Sequence, residues 1–93
     1  MAEETLVSLV LIAYNQEQFI RESVQSALSQ TYAPLETILS DDCSNDRTYD
    51  ILKAETSGYR GRHKIVLNRN TKNFGLAGNL NLAFELSKGQ FIV

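Results

Sequence analysis

The stretch Leu6-Val7-Ser8-Leu9-Val10-Leu11-Ile12-Ala13 is apolar at every position but Ser8. A half-exposed strand would alternate apolar and polar side chains. A run without alternation suits a strand covered on both faces, as in the interior of a parallel sheet. Parallel strands cannot be joined by tight hairpins; they need crossover segments, usually helices. The first run therefore demands helical segments between further strands, and the rest of the chain supplies them.

Tyr14-Asn15 follows the run, and Asn15 with Gln18 has the form of a capping box. The spacing predicts a helix from about Gln16 to Gln30, with Ile20, Val24, Ala27 and Leu28 inward and Arg21, Glu22, Gln25 and Ser29 outward. Pro34 stops it. Glu36 to Asp41 reads as the second strand. A second helix is expected from near Asp46 to near Gly58, a C-cap glycine. Gly58 to Arg62 is a surface connection, and Lys64 to Asn68 the third strand. After the polar loop Asn70 to Gly75, a third helix runs from about Leu76 to Ser87, with Leu76, Leu80, Ala83 and Phe84 on one side. Lys88-Gly89 closes it, and Gln90-Phe91-Ile92-Val93 opens a fourth strand.

The order β-α-β-α-β-α-β predicts an α/β protein, a Rossmann-like three-layer α/β/α arrangement with a mainly parallel sheet. Right-handed crossovers and a strand order 3-2-1-4 would put the first two helices on one face and the third on the other. The topological switch point would lie between strands one and four. Tyr14, Asp41, Asp42 and Asn73-Phe74-Gly75 would then share the carboxyl edge beside that crevice, where ligands bind in such sheets.

Ser40-Asp41-Asp42-Cys43-Ser44-Asn45-Asp46-Arg47-Thr48 brings three carboxylates to this edge. Such groups can accept hydrogen bonds from ribose hydroxyls or base N–H groups, or help hold a divalent cation. A turn with a helix N-cap is the competing reading and accounts for Asp46, the acid nearest the helix. It accounts less well for Asp41 and Asp42, whose adjacent like charges a turn does not need. Tyr14 offers a flat face for a base, with Asp42 across the crevice; the alternative is an aromatic ring packed over the strand end. The turn Ala13 to Glu17 has no glycine and carries an acid, which argues against NAD or FAD. No Walker-type lysine loop is present. One Cys and one His leave too few ligands for zinc. His63, at the amino end of strand three, reads as an exposed loop residue.

At 93 residues the chain is one domain, with a thin core. Its net charge of −2 gives no electrostatic case for nucleic acid or an anionic membrane. The basic residues Arg60, Arg62, Lys64, Arg69 and Lys72 read as a solvated, sheet-flanking face. Cys43 is the only cysteine, so no intrachain disulfide can form; its acidic neighbours argue against a nucleophile. The acidic Met1 to Thr5 lacks the basic region of a signal peptide, and no apolar run reaches membrane-spanning length. A cytoplasmic location is expected, at the cytoplasmic face of the membrane for a full-length protein.

Four motifs in order carry a family resemblance over nearly the whole chain. Val7 to Asn15 resembles the opening strand and turn of the family 2 glycosyltransferases with a GT-A fold, and Ser26 to Tyr32 resembles the end of that family's first helix. Asp41-Asp42-Cys43-Ser44-Asn45-Asp46-Arg47-Thr48 is similar to its Asp-Asp-Gly-Ser-x-Asp-x-Thr loop. Asn73-Phe74-Gly75 with Ala77, Asn79 and Gly89 resembles the stretch before its fourth strand.

The resemblance implies the amino-terminal half of a GT-A fold, with residues 1–93 forming a nucleotide-sugar-binding part. The implied ligand is a nucleotide-diphospho-sugar, UDP- or GDP-linked, whose sugar passes to an acceptor, typically with inversion. The nucleotide-binding residues by matching position are Ala13, Tyr14, Asn15, Asp41, Asp42, Asn73 and Gly75. Tyr14 would stack on the base, Asp42 bond its edge and Asp41 support the loop, while Asn73 to Asn79 would lie near the diphosphate. Three positions depart from the pattern: Ala13 in the first turn, Cys43 in place of glycine, and Gly78 where many members have arginine.

A divalent metal, Mg or Mn, is implied for the full-length enzyme. The family's Asp-x-Asp ligands follow the fourth strand and are not among these residues, so the chain alone is expected to be inactive. A non-catalytic α/β module that only folds or self-associates is the alternative. The hydrophobic fourth strand, with its outer edge unpaired, predicts association into a homodimer.

Overall fold

The computed structural model describes residues 5–32 and 35–93. The elements are β1 (Val7–Ala13), α1 (Ile20–Leu28), β2 (Leu35–Asp41), α2 (Thr48–Ser57), β3 (Lys64–Arg69), α3 (Gly75–Leu86) and β4 (Phe91–Ile92). All strand pairs are parallel, in the order β3-β2-β1-β4 expected from the sequence. The stop assigned to Pro34 and the acidic start Met1 to Glu4 lie outside the described residues.

The two sheet faces have different chemistry. On one, Ala13 and Leu39 meet Ile20 and Val24 of α1 and Leu52 of α2, with Leu11, Leu28, Ile51, Ile65 and Leu67 around them. α1 and α2 are tied across their outer surface by Arg21 and Gln25, which both donate to the Glu55 carboxylate. On the other face α3 packs on β1 and β2. Ile38 and Ala83 are buried there, beside the polar residues Ser40 and Asn79.

Several local expectations change. The Asn15–Gln18 capping box does not form, because the Asn15 Oδ1 instead accepts from Asn45 N at 2.8 Å. α1 begins at Ile20, after a turn in which Phe19 N and Ile20 N both donate to Gln16 O. Gly58 does cap α2, but with φ of −87° rather than a left-handed conformation. The side of α3 predicted to be packed is also displaced. Leu76 is 75% exposed and Phe84 42%, while Asn79 and Ala83 are the buried positions. The small Ala83 lets the helix approach the sheet, and Asn79 brings hydrogen-bonding groups that a leucine lacks.

Lys88-Gly89 lies beyond the helix, whose C-cap is Ser87. Gly89 N donates to Ser8 Oγ, and a Cβ at Gly89 would stand 2.7 Å from Ser8 N. Close approach to β1, rather than helix termination, is what requires glycine here. The buried Glu36 completes this junction, accepting from Ser8 Oγ and Lys88 N. Backbone bonds from Gln90 N to Leu6 O and from Val93 N to Ser8 O then seat β4 beside β1.

His63 is not an exposed loop residue. It is 9% exposed, with Nδ1 3.0 Å from Thr37 Oγ1 and Nε2 2.7 Å from Gln30 O. The carbonyl can only accept, so Nε2 carries a proton. Arg69 stays solvent-exposed, as expected, but is also engaged: its guanidinium lies over the Tyr49 ring at 4.9 Å, and its Nε is 3.9 Å from Asp41 Oδ2.

Candidate functional site

The carboxyl ends of β1 and β2 carry two loops that brace each other. Asn15 N donates to Ser44 Oγ and Gln16 N to Thr48 Oγ1 at 2.7 Å, while Glu17 N donates to Asp46 Oδ2. In return, Asn45 N donates to Asn15 Oδ1 and Arg47 N to Glu17 Oε2. Ser44, Asp46 and Thr48 thus satisfy backbone donors of the neighbouring loop as well as their own turn. Reading a turn and cap from the sequence found only the local half of this. The N-cap position of α2 falls to Arg47, and Asp46, one residue earlier, accepts from Thr48 N at 2.9 Å in the turn that leads into the helix.

Asp41 lies fully buried beneath this brace. Its carboxylate accepts from Ser44 N and Ser44 Oγ, consistent with the loop-supporting part expected of it. Strained backbone collects at the same edge. Asn15, Cys43 and Gly75 have φ of 49°, 59° and 83°, one residue in each βα connection. Asn and Gly accept this conformation readily, whereas a cysteine does so at a cost.

Between these loops and the start of α3 lies a cavity of about 410 Å³. Ala13, Tyr14, Asp42, Asn73 and Gly75, five of the residues expected from the sequence, line it. Asn15 and Asp41 do not; they hold the loops from behind. Leu76 and Asn79, within the Asn73 to Asn79 segment expected near the diphosphate, also line it, as do Ile12 and Gln16, which were missed. Ile12 lies in the apolar strand and Gln16 in a polar turn, and neither carries a signal that sets it apart, whereas Asn79 is a polar residue inside an apolar helix, which needs a partner when buried.

Asp42 is 3% exposed, and its carboxylate is held by three donors. Oδ1 accepts from Asn70 Nδ2 at 2.9 Å and Phe74 N at 2.8 Å, and Oδ2 from Gly75 N at 2.9 Å. Burial pushes the carboxyl pKa up, but the bonds from Phe74, Asn70 and Gly75 outweigh it, so the group sits below the usual carboxylate value and is charged at neutral pH. Behind it, Asn70 Nδ2 also donates to Asn79 Oδ1, and Asn68 Nδ2 to Asn70 Oδ1. Tyr14 stands at the cavity, 42% exposed.

The cavity thus offers an aromatic face, a fixed carboxylate and a glycine at the head of a helix. Among the described residues, no group of three or more His, Cys, Asp or Glu could hold a metal ion. Asp42, the acid in the cavity, is already committed to amide donors. The residues present do not fit a metal centre. No described helix is long and apolar enough to cross a membrane.

A parallel α/β sheet with a cavity at its switch point is an architecture whose ligands bind at that edge. Solved structures that share this fold include glycosyltransferases. A mannosyltransferase from Pyrobaculum calidifontis, solved with GDP-Man and Mn2+, superposes with a TM-score of 0.79 at 27% identity, over 92% of this chain and 25% of the other. S. aureus TarS 1-349 with UDP-GlcNAc superposes with a TM-score of 0.77 at 26% identity, over 97% of this chain and 25% of that one.

The sequence model of glycosyl transferase family 2 matches residues 8–93, and the chain belongs to that family. It is 39% identical over 87 residues to the Escherichia coli UDP-Glc:alpha-D-GlcNAc-diphosphoundecaprenol beta-1,3-glucosyltransferase WfaP, covering 94% of this chain and 33% of that protein. It is 38% identical to the putative glycosyltransferase EpsE of Bacillus subtilis, over 92% of this chain and 30% of that one. The chain therefore spans about a third of the length of the curated relatives it matches. The fold is of the GT-A type, as the sequence resemblance implied.

Proposed function

We propose that residues 1–93 form the donor-binding part of a glycosyltransferase and hold the nucleotide of a UDP- or GDP-linked sugar in the cavity between β1 and α3. The observation that carries this is the pairing of Tyr14 and Asp42 in one cavity at the carboxyl edge. The Tyr14 ring supplies a stacking face for the base. Asp42, charged and fixed, accepts a base N–H. Asn73 and Gly75 flank the diphosphate, where the absent Gly75 side chain leaves room for close approach. Ala13, Asn15 and Asp41 shape the loops that carry these groups. Relatives and structural neighbours named for UDP-Glc, GDP-Man and UDP-GlcNAc support the ligand class. The Mg or Mn ion implied for the full-length enzyme has no ligand set among the described residues.

A titration of the labelled chain with UDP and GDP, followed by NMR, tests the reading. Shifts are expected at residues 13–15, 41–44 and 73–75, with an affinity of roughly millimolar, about 4 kcal/mol. Asp42→Asn should weaken binding. Shifts confined to Arg60 through Lys64 would mean nonspecific attraction of phosphate and would overturn the assignment.

Self-association is the second part of the proposal. β4 ends the sheet beside β1, and Ile92 is 45% and Val93 72% exposed at that edge. Two copies meeting there would pair backbone groups that otherwise face water.

A further inference from the structure

We infer that Glu36 is a positioning residue: together with Gly89 it fixes the register of β4 on β1, and so decides which β4 side chain lies on the cavity's side of the sheet.

β4 has little else to set its register. It pairs with β1 over two residues, Phe91 beside Val7 and Ile92 beside Ser8. It is an edge strand, and Ile92 and Val93 are exposed. Phe91-Ile92-Val93 is apolar throughout. A slip by one residue exchanges one apolar side chain for another, so burial does not choose between registers.

The choice is made in the connection that precedes the strand. Lys88 N donates to Glu36 Oε2 and Gly89 N to Ser8 Oγ, both at 2.9 Å, and Ser8 Oγ donates to Glu36 Oε2 at 2.7 Å. Ser8 and Glu36 are register partners on β1 and β2, so these bonds converge on a fixed point of the sheet. Sterics act at the same point. A Cβ at position 89 would stand 2.7 Å from Ser8 N. Lys88 and Gln90 both carry one, and a slip in either direction drives one of them into the backbone of β1.

Glu36 is a costly residue for its place. It is 1% exposed, and its Oε1 has no partner among the described residues. A buried carboxylate with one oxygen unpaired opposes folding. An apolar side chain would avoid that cost but could not receive Lys88 N. The acid does not serve α3 either, because negative charge is unfavourable beyond a helix's carboxyl end. What it holds is the exit of the chain from α3 into β4. Asp42 holds the other end of the same helix through Phe74 N and Gly75 N, so β2 straps α3 at both ends.

The register matters at the crevice. Ser8 and Ile12 lie on one face of β1, and Ile12 lines the cavity with Leu76 and Asn79 of α3. Ile92, beside Ser8, shares that face. A slip by one residue would bring Phe91 or Val93 there and turn Ile92 to the opposite face.

Amide hydrogen exchange and nuclear Overhauser contacts of the labelled chain test this. In the native chain Ser8 should contact Ile92, and the Val10, Gln90 and Val93 amides, which bridge β1 and the β4 segment, should be protected. Amides between β2 and β3 report any general loss of stability. Relative to these, Glu36→Ala is expected to speed exchange at the three bridging amides by about tenfold or more, and to remove or shift the Ser8–Ile92 contact. Glu36→Gln, whose carbonyl oxygen can take the same two donors, should keep the register. Gly89→Ala should lose it with Glu36 in place. Equal loss of protection throughout the sheet in Glu36→Ala, or an unchanged Ser8–Ile92 contact, would reduce Glu36 to packing and overturn the inference. Loss of the register in a folded Glu36→Gln would also overturn it, since the acceptor would not be what holds the strand. An unchanged register in Gly89→Ala would overturn the steric part. If Glu36→Ala does not fold, Ser8→Ala, which cuts the bridge between Glu36 and Gly89, is read by the same criteria.

Discussion

Replacing Asp46 separates two jobs that one carboxylate performs. Oδ1 accepts from Thr48 N at the start of α2 and from the Thr48 hydroxyl, and Oδ2 accepts from Glu17 N in the neighbouring loop at 3.2 Å. Because the Thr48 proton points at Asp46, the Thr48 oxygen is free to accept from Gln16 N. Loss of a capping side chain costs about 1 kcal/mol. Loss of the bond to Glu17 N adds about 1 kcal/mol, at the upper end for a partly exposed contact. Asp46→Ala is therefore expected to destabilise the chain by about 2 kcal/mol. Asp46→Ser should cost about half as much, since serine caps as well as aspartate but is too short to reach the other loop.

Urea denaturation followed by circular dichroism measures both differences. Its pH dependence gives a second check. Partial burial pushes the Asp46 carboxyl pKa up, but hydrogen bonds from Thr48 and the Glu17 N–H outweigh it and lower the value in the folded chain. A group whose folded pKa is depressed contributes stability above its unfolded value of 3.8, which is lost as pH falls through the folded value. The gap between the parent and Asp46→Ser should thus be full at neutral pH and narrow in acid below the usual aspartate range. If Asp46→Ser matches the parent at neutral pH while Asp46→Ala loses about 1 kcal/mol, Asp46 is a cap alone and the loop brace contributes nothing.

Two other measurements bear on the same edge and on the sheet's end. Cys43 holds φ of 59°, a conformation that costs a non-glycine residue about 1–2 kcal/mol, against about 0.4–1 kcal/mol of extra unfolded-state entropy for glycine. Cys43→Gly should therefore stabilise the chain by about 0.5 kcal/mol and Cys43→Ala leave it unchanged; thermal melts showing a loss for the glycine variant would contradict the strain. Sedimentation at tens of micromolar is expected to show a dimer, and a monodisperse monomer there would rule out pairing through β4.

The sheet was legible because its signal is local. The run Leu6 to Ala13 reads as a strand covered on both faces and does form β1, but β1 is mostly half-buried and β2 is the strand buried along its whole length; helix-length segments between strands leave few topologies to choose from. The carboxyl edge, and with it Tyr14 and Asp42, follows from that topology. His63 was misread because what buries it is distant: Thr37 is 26 residues away and Gln30 is 33. The α3 face was misread for a related reason. Helical periodicity favours Leu76 and Phe84, but contact with the sheet is made through Asn79, whose partners lie on β2 and after β3. Ser44, Asp46 and Thr48 look like turn residues, and they are; that they also hold the first loop depends on pairing between strands whose loops emerge side by side.

Asp42 joins the fold to the site. α3 has no acid in its first turn and no side-chain cap from Phe74 at its N-cap. Its first backbone donors are met instead by a carboxylate from the end of β2, placed where the helix dipole favours negative charge. The helix so anchored carries Leu76 and Asn79 to the cavity, and Asn79 returns a bond to Ser40 O, two residues before Asp42. The closed circuit of Asp42, α3, Asn79 and Ser40 sets the cavity's width by the same bonds that hold the carboxylate. On the proposed reading a ligand donor on Asp42 joins that circuit, so Asp42→Asn, which removes the charge, should loosen the helix and weaken nucleotide binding together.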